Sequence, residues 1–497
     1  MENNYHTLTL PLITEKYQED ILNKRFEIGR KIYNTLNKEI YKRHRCMIGT
    51  KRYRNIKSEL KEIYQSESKI NKVIKDELCK ELNEIYKEFR FSKFDFQKDV
   101  QSMQKHFKDN IDSLTARSIS VSLWKTYEEL LFRKGRTVHY KRYGEFNALS
   151  GQNNLQGIRF KDNNLIWNGL SISIKRNFKN LYESQCFEHD IAFCRIIRKI
   201  IRNKYKFYIQ IVFKDNPPIK IYKETGELKY PSGDGKLGLD IGTQTIAISS
   251  KNDVRIFELA DRIQSIEDKI KILQRKMDRS KRAMNPNNYN EDWTIKKQGN
   301  KKVIWVKSNH YIKTRNELRE LHRKQKDIRK LQHNITANYI ISCGDTFYVE
   351  KMNYSALQKK SKETKINKDT GRIKSKKRFG KSISNKSPAM FLSILEYKLK
   401  CMNKELIKVD TWNVRASQYN HFTDKYNKKK LSQRWNDFNG IKIQRDMYSA
   451  FLIMNVTDDL KSINREKCIN TFNNFKILHD IEVERLKGNK NLSSIGI

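Results

Sequence analysis

KLGLDIGTQTIAIS, Lys236 to Ser249, places one carboxylate, Asp240, inside a run that is otherwise apolar or small. The run reads as a buried strand. Burying a charge is costly unless something neutralises it. Two further acids share the peculiarity. Glu350 closes the apolar run TFYVE, and Asp446 precedes MYSAFLIM. Each alone could equally be a half-exposed acid or a helix cap, and their spacing along the chain proves no cluster. Together they match the needs of a divalent cation. Mg²⁺ takes hard oxygen ligands, and a pair of ions about 4 Å apart can activate water and stabilise the leaving oxygen of a phosphodiester. Carboxylates suit that task; His and Cys do not. At a helix start, Asp446 would also benefit from the N-terminal dipole.

The charge of the whole chain names a partner. Its 497 residues hold 102 Lys and Arg against 57 Asp and Glu, a net charge of +45. Such an excess repels itself unless a polyanion offsets it, and nucleic acid is the leading candidate. A Lys-rich compositional bias would raise Glu as well and leave the balance near zero. The 24 Tyr and 23 Phe offer stacking surfaces for bases as well as core. Seven cysteines occur at irregular spacings with no CxxC pair, which reads as reduced thiols in a cytoplasmic protein. MENNYHTL has no basic segment leading into an apolar one, and no apolar run approaches the ~18 residues of a membrane span.

Along the chain the texture changes twice. HTLTLPLI, His6 to Ile13, reads as a strand. A helical, charged region with almost no Gly or Pro then runs to about Arg133, opening on the stripe Ile28, Ile32, Leu36, Ile40. From about 134 to 230, short β-prone runs alternate with turn signals, and KFYIQIVFKD alternates like a half-buried strand. A boundary is expected near Asn216 to Pro218 and Pro231 to Gly235. After the opening motif, Ile263, Ile266, Ile270, Leu273 and Met277 form a heptad-like seam. A second helix carries Leu318, Leu321, Ile328, Leu331 and Ile335, so an antiparallel hairpin is expected. Lys359 to Lys381 holds eleven Lys or Arg among 23 positions and reads as a flexible loop that contacts nucleic acid or is disordered without it. A helix over AMFLSILEYKLKCMNKEL and a strand over IKVDTW follow. The last long helix is expected to begin near Asp446.

On these motifs the chain resembles RuvC-type RNase H-like nucleases, in particular TnpB transposon nucleases and the miniature type V-F CRISPR effectors. KLGLDIGTQTIAIS is similar to their first motif, FYVEKMNY to their second and RDMYSAFLIMN to their third. LDIGTQT also resembles the phosphate loop of actin-like and sugar-kinase ATPases. No Gly-rich adenosine motif follows it here, and +45 suits no sugar kinase.

The nuclease resemblance implies a multidomain α+β protein. A wedge-like β domain would span 1–12 and 134–232, and a helical recognition domain 13–133. An RNase H-like (RuvC) α/β domain would span 233–411 and 441–497, with a nucleic-acid-binding insertion at 412–440. It implies Asp240, Glu350 and Asp446 as the ligands of two Mg²⁺ ions, and Arg434 near the scissile strand. It further implies a guide RNA, double-stranded DNA as target, and two protein copies sharing one guide. A monomeric transposon-type nuclease and a non-cutting RNA-guided binder are the alternatives. Two departures stand out. Tyr448 replaces the Asn of the third motif. The cysteine pairs of a zinc ribbon are missing between Gln418 and Asp446, leaving Asn420, Thr423 and a lone His421. No zinc is therefore expected, and Tyr419, Phe422, Tyr426 and Trp435 are candidates to hold that segment instead.

Overall fold

The computed structural model describes residues 4–65, 71–132, 135, 137–296, 299, 303–359, 366, 379–429 and 433–487. Most of the basic stretch from Lys359 to Lys381 lies outside them. The chain divides into two compact units, Met1–Pro218 and Ile219–Ile497.

The first unit combines five long helices with two antiparallel sheets. The helices are α1 (Lys16–Gly49), α2 (Lys51–Ile63), α3 (Asn71–Glu88), α4 (Lys93–His106) and α5 (Ser113–Phe132). Strands β1 (Tyr5–Pro11), β2 (Ala148–Ser150), β6 (Ile191–Ile201) and β7 (Lys204–Lys214) form a sheet in the order β1-β7-β6-β2. Strands β3 (Arg159–Lys161), β4 (Asn164–Trp167) and β5 (Leu170–Ser173) form the second, and a short helix α6 (Leu181–Cys186) precedes β6. The stripe of α1 is buried as its spacing requires, with Ile28, Ile32, Leu36 and Ile40 all in the core. Arg25 ties α1 to the smaller sheet. Its guanidinium donates to the Trp167 and Asn168 carbonyls at 2.8 and 2.7 Å and stacks over the Trp167 ring.

The second unit is built on one mixed sheet. Strands β8 (Lys236–Ile241), β9 (Thr245–Ser250), β10 (Val254–Glu258), β11 (Thr346–Glu350) and β12 (Leu406–Val409) lie in the order β10-β9-β8-β11-β12. The first three form an antiparallel meander, and β11 pairs in parallel with both β8 and β12. Both faces are covered. Between β10 and β11 run α7 (Gln264–Met284) and α8 (Asn309–Ser342). After β11 come α9 (Tyr354–Leu357), α10 (Gly380–Lys386) and α11 (Pro388–Cys401). Leu237, Leu239, Ile241, Phe347 and Val349 share a core with Ala337 and Ile340 of α8 and Phe391 and Leu395 of α11. After β12, a short helix α12 (Thr411–Val414) leads into two hairpins, β13 (Tyr419–Asn420) with β14 (Lys425–Tyr426) and β15 (Trp435–Phe438) with β16 (Ile441–Gln444). Two final helices, α13 (Arg445–Met454) and α14 (Arg465–Lys487), share a core with Ala247, Ile256, Tyr348 and Val409 of the sheet.

Two expectations need correcting. The helix that begins beside Asp446 is only ten residues long, and the last long helix is α14. Every residue of α13 from Asp446 to Met454 is buried, because the sheet, β16 and α14 pack around it. A helix enclosed on all sides reads in sequence as one uninterrupted apolar run. The seam of α8 also breaks. Leu331 and Ile335 are 58% and 54% exposed, whereas His333, Ala337 and Ile340 are buried. Over its second half the helix exchanges α7 for α11, where the His333 and Phe391 rings meet at 5.6 Å, and its buried face rotates accordingly. Among the described residues no helix is long and apolar enough to cross a membrane.

Candidate active site

Alternation along β8 sorts its side chains onto opposite faces of the sheet. Leu237, Leu239 and Ile241 point into the core beneath α8 and α11, leaving Gly238 and Asp240 on the α13 side. In β11, Phe347 and Val349 take the α8 side, so Tyr348 and Glu350 share the α13 side with Asp240. The parallel register pairs Tyr348 with Gly238 and Val349 with Leu239. One step further, Glu350 stands beside Asp240 at the carboxyl ends of neighbouring strands. Ligand sites in open α/β sheets form at such strand ends.

The third carboxylate comes from across the sheet. Helix α13 lies so close over β8 that a Cβ on Gly238 would sit 2.1 Å from the Ala450 carbonyl oxygen and 2.4 Å from the Met454 nitrogen. That approach directs Asp446 and Ser449 at Asp240. The start of the helix is pinned. The Gln444 side chain caps it by accepting from the Met447 N–H at 2.8 Å, and the Gln444 N–H donates to His479 Nε2 at 2.9 Å.

The electrostatics record the convergence. Burial, then the charges of Asp446 and Glu350, push the Asp240 carboxyl well above the usual carboxylate range; Arg445 and Ser449 offset part of this. Burial likewise raises Glu350 to about 7, held down in part by the Ala416 N–H. Glu350 Oε1 is buried without a hydrogen-bond partner among the described residues. Asp446 is the one acid of the three held by cations. Arg445 donates to its Oδ1 at 3.0 and 3.1 Å, and Arg434 Nη1 lies 3.5 Å from its Oδ2.

Hard oxygen donors, an orphaned carboxylate oxygen and mutual repulsion fit the chemistry of a divalent cation. In the arrangement as it stands, no group of three or more His, Cys, Asp or Glu among the described residues is poised to hold a metal. Both oxygens of Asp446 go to guanidinium groups instead. All four residues singled out by sequence therefore meet in one place, Arg434 included. Sequence reasoning missed Gly238, Arg445 and Ser449, which carry no signal until β8 and α13 are laid together.

The two departures from the family pattern turn out to be one feature. The Tyr448 hydroxyl accepts the His421 backbone N–H at 3.2 Å and meets His421 Nδ1 at 2.7 Å. Around this pair close Phe422, Phe438, Phe451, Phe472 and Phe475, with ring centroids mostly 4–6 Å apart. Arg465 ties the loop down by donating to the His421 and Phe422 carbonyls. Of the aromatic residues expected to hold this segment, Tyr419 and Tyr426 pair separately across their hairpin at 5.0 Å. Trp435 packs against His479. Burial and Arg465 lower the His421 pKa to about 4, so the ring is neutral at physiological pH. Tyr448→Phe leaves a buried N–H and a ring nitrogen unpaired, a cost of ~1–3 kcal/mol. A thermal scan is expected to register a loss of several degrees; an unchanged midpoint would remove the hydroxyl from this role.

No family model matches the chain. No curated protein matches it either. Among solved structures, the chain is similar to a Cas12f1–sgRNA–target DNA complex at 12% identity and a TM-score of 0.41, over 92% of this chain and 99% of that one. It is similar to a CRISPR–Cas12f ternary complex at 13% identity and a TM-score of 0.23, over 90% and 99%. A Cas12i complex with crRNA and double-stranded DNA is matched at 12% identity and a TM-score of 0.26, over 92% of this chain and 64% of that one. The structural neighbours of this chain are thus Cas12f and Cas12i effector complexes.

Proposed function

We propose that this chain is an RNA-guided DNA endonuclease of the miniature type V kind. It would cut double-stranded DNA at a single site built on Asp240, Glu350 and Asp446. The observation that carries the reading is the meeting of three acids, two on adjacent strand ends and one on a buried helix, close enough for the charges of two to raise the third. The sheet order, an antiparallel meander extended by two parallel strands, supports an RNase H-like domain over 233–411 and 441–497. The charge of +45 supports a nucleic-acid partner. Guide RNA would select the target by base pairing. The first unit, with its helical and β parts, would hold that RNA and the flanking duplex, and two copies would share one guide.

Bound Mg²⁺ would supply the activated water and the charge stabilisation for phosphodiester hydrolysis. This chain's residues would do the rest. Asp240 and Glu350 present oxygens from a rigid sheet edge, α13 delivers Asp446, and Arg434 meets the scissile strand. Before a cation binds, Glu350 holds a proton below about pH 7. Binding must displace that proton. At limiting Mg²⁺, cleavage is expected to climb close to tenfold per pH unit below about 7 and to flatten above it. A flat profile from pH 6 to 8 would remove Glu350 from the ligand set.

The deciding experiment is cleavage of a supercoiled plasmid matched to the guide, with Mg²⁺ and with EDTA. The RNA that co-purifies is sequenced alongside. Repeat–spacer RNA and Mg²⁺-dependent linearisation are expected. Transposon-end RNA would move the chain to the TnpB-type alternative. One observation favours a different reading: Arg434 and Arg445 occupy both oxygens of Asp446, as suits a non-cutting RNA-guided binder. An intact plasmid under a matched guide would establish that reading.

A further inference from the structure

Near Arg445 and the ring of Tyr448 lies a second, unsatisfied cation. Lys429 follows the β13–β14 hairpin and is half-buried overall. A lysine ordinarily lays its stem on apolar surface and keeps its ammonium in water. Lys429 does the reverse. Its Nζ is buried and has no hydrogen-bond partner among the described residues. It lies 5.8 Å from the Phe438 ring centre and 6.0 Å from that of Tyr448, at the outer limit of cation–π contact. Burial, and then the charge of Arg445, lower its pKa. Among the described residues no carboxylate pairs with it. The acid at this end of the site, Asp446, is already shared between Arg434 and Arg445.

A buried cation without an acceptor is costly and calls for an anion. The surroundings narrow the choice. Arg445 presents a planar guanidinium suited to paired contacts with phosphate oxygens. A strongly basic chain selects polyanions. Arg445 and Arg434 hold Asp446, one of the acids at which a phosphodiester would be cut, and Lys429 lies near enough to Arg445 to feel its charge.

We propose that Lys429 and Arg445 form a binding site for a backbone phosphate of single-stranded DNA, and that this phosphate unmasks Asp446. This rests on the nuclease reading above. An arriving phosphate takes the Nζ hydrogens, for which the described residues provide no acceptor. It also takes guanidinium hydrogens that now go to Asp446 Oδ1. The carboxylate freed beside Asp240 is then open to a cation. The acid cluster would thus be completed only when a strand is present.

The test uses full-length protein carrying Asp240→Asn, so that binding is read without cleavage. Binding of a fluorescent single-stranded DNA 20-mer is followed over a salt series, with and without Lys429→Met. Losing the ammonium is expected to weaken binding about tenfold and to reduce the slope of log Kd against log salt by about 0.7. Lys429→Arg should restore both. The Met variant should melt no lower than its parent, since it removes an unpaired buried charge; if it unfolds, the Arg and Gln variants carry the comparison. Equal affinity and slope with and without the ammonium would overturn the proposal. Plasmid cleavage by the chain with Asp240 intact is measured alongside. A reduced slope in a protein that cuts nothing would uphold the phosphate site and count against the nuclease reading alone.

Discussion

Asp240→Asn is expected to abolish cleavage of a guide-matched plasmid, to leave RNA and DNA binding intact, and to raise the melting temperature. The first two results follow from its place in the site. Asp240 lies near the end of β8, with both other acids acting on its charge, and a neutral amide holds a divalent cation far more weakly than a carboxylate does. The third follows from linkage. A carboxyl whose pKa is raised on folding favours the folded state only at low pH. For Glu350 that stability is present below about 4.5 and is lost as pH rises through about 7. Asp240 shifts in the same direction from 3.8. At neutral pH the acids therefore strain the metal-free fold, and removing one charge relieves it. A gain of at least ~2 °C is expected, the shift that about 1 kcal/mol produces in a unit of this size. Mg²⁺ should stabilise the parent and leave the variant nearly unmoved. An Asn variant that still linearises plasmid at the parental rate would dismiss Asp240 from the site.

The second large effect is structural. Gly238→Ala is expected to destabilise the second unit by about 1–3 kcal/mol, and Gly238→Val by more. The added carbon would lie 2.1 and 2.4 Å from backbone atoms of α13. Backbone in a helix buried on every side cannot turn aside as a flexible side chain can. Either the helix lifts from β8, carrying Asp446 away from Asp240, or the unit fails to fold. A fall of roughly 5–10 °C is expected for Val, with loss of cleavage in whatever remains folded. Parental melting of the Ala variant would refute the close approach of helix and strand.

Glycine at 238 was visible in the opening motif but silent there, because its reason lies more than two hundred residues further along the chain. Lys429, Arg445 and Ser449 were silent for the same cause. In sequence they are ordinary polar residues; their meaning is a missing partner or a neighbouring charge, and both exist only in space. The hairpin of α7 and α8 was legible as two helices, and the failure fell on Leu331 and Ile335. A helix of 34 residues changes its partner partway, and periodicity cannot register the change.

What the chain's one-dimensional pattern marked is three acids, two of them on strands. A charge in an apolar run stands out because burial makes it expensive, and that expense is a property of composition alone. Alternation then dictates the face on which Asp240 must lie. Three matters waited for the folded molecule. They are the register that sets Glu350 beside Asp240, the close seat of α13 over Gly238, and the joining of Tyr448 to His421 where the family pattern has neither. Each is a contact between segments distant along the chain, whose energy comes from burial and geometry at the point of meeting.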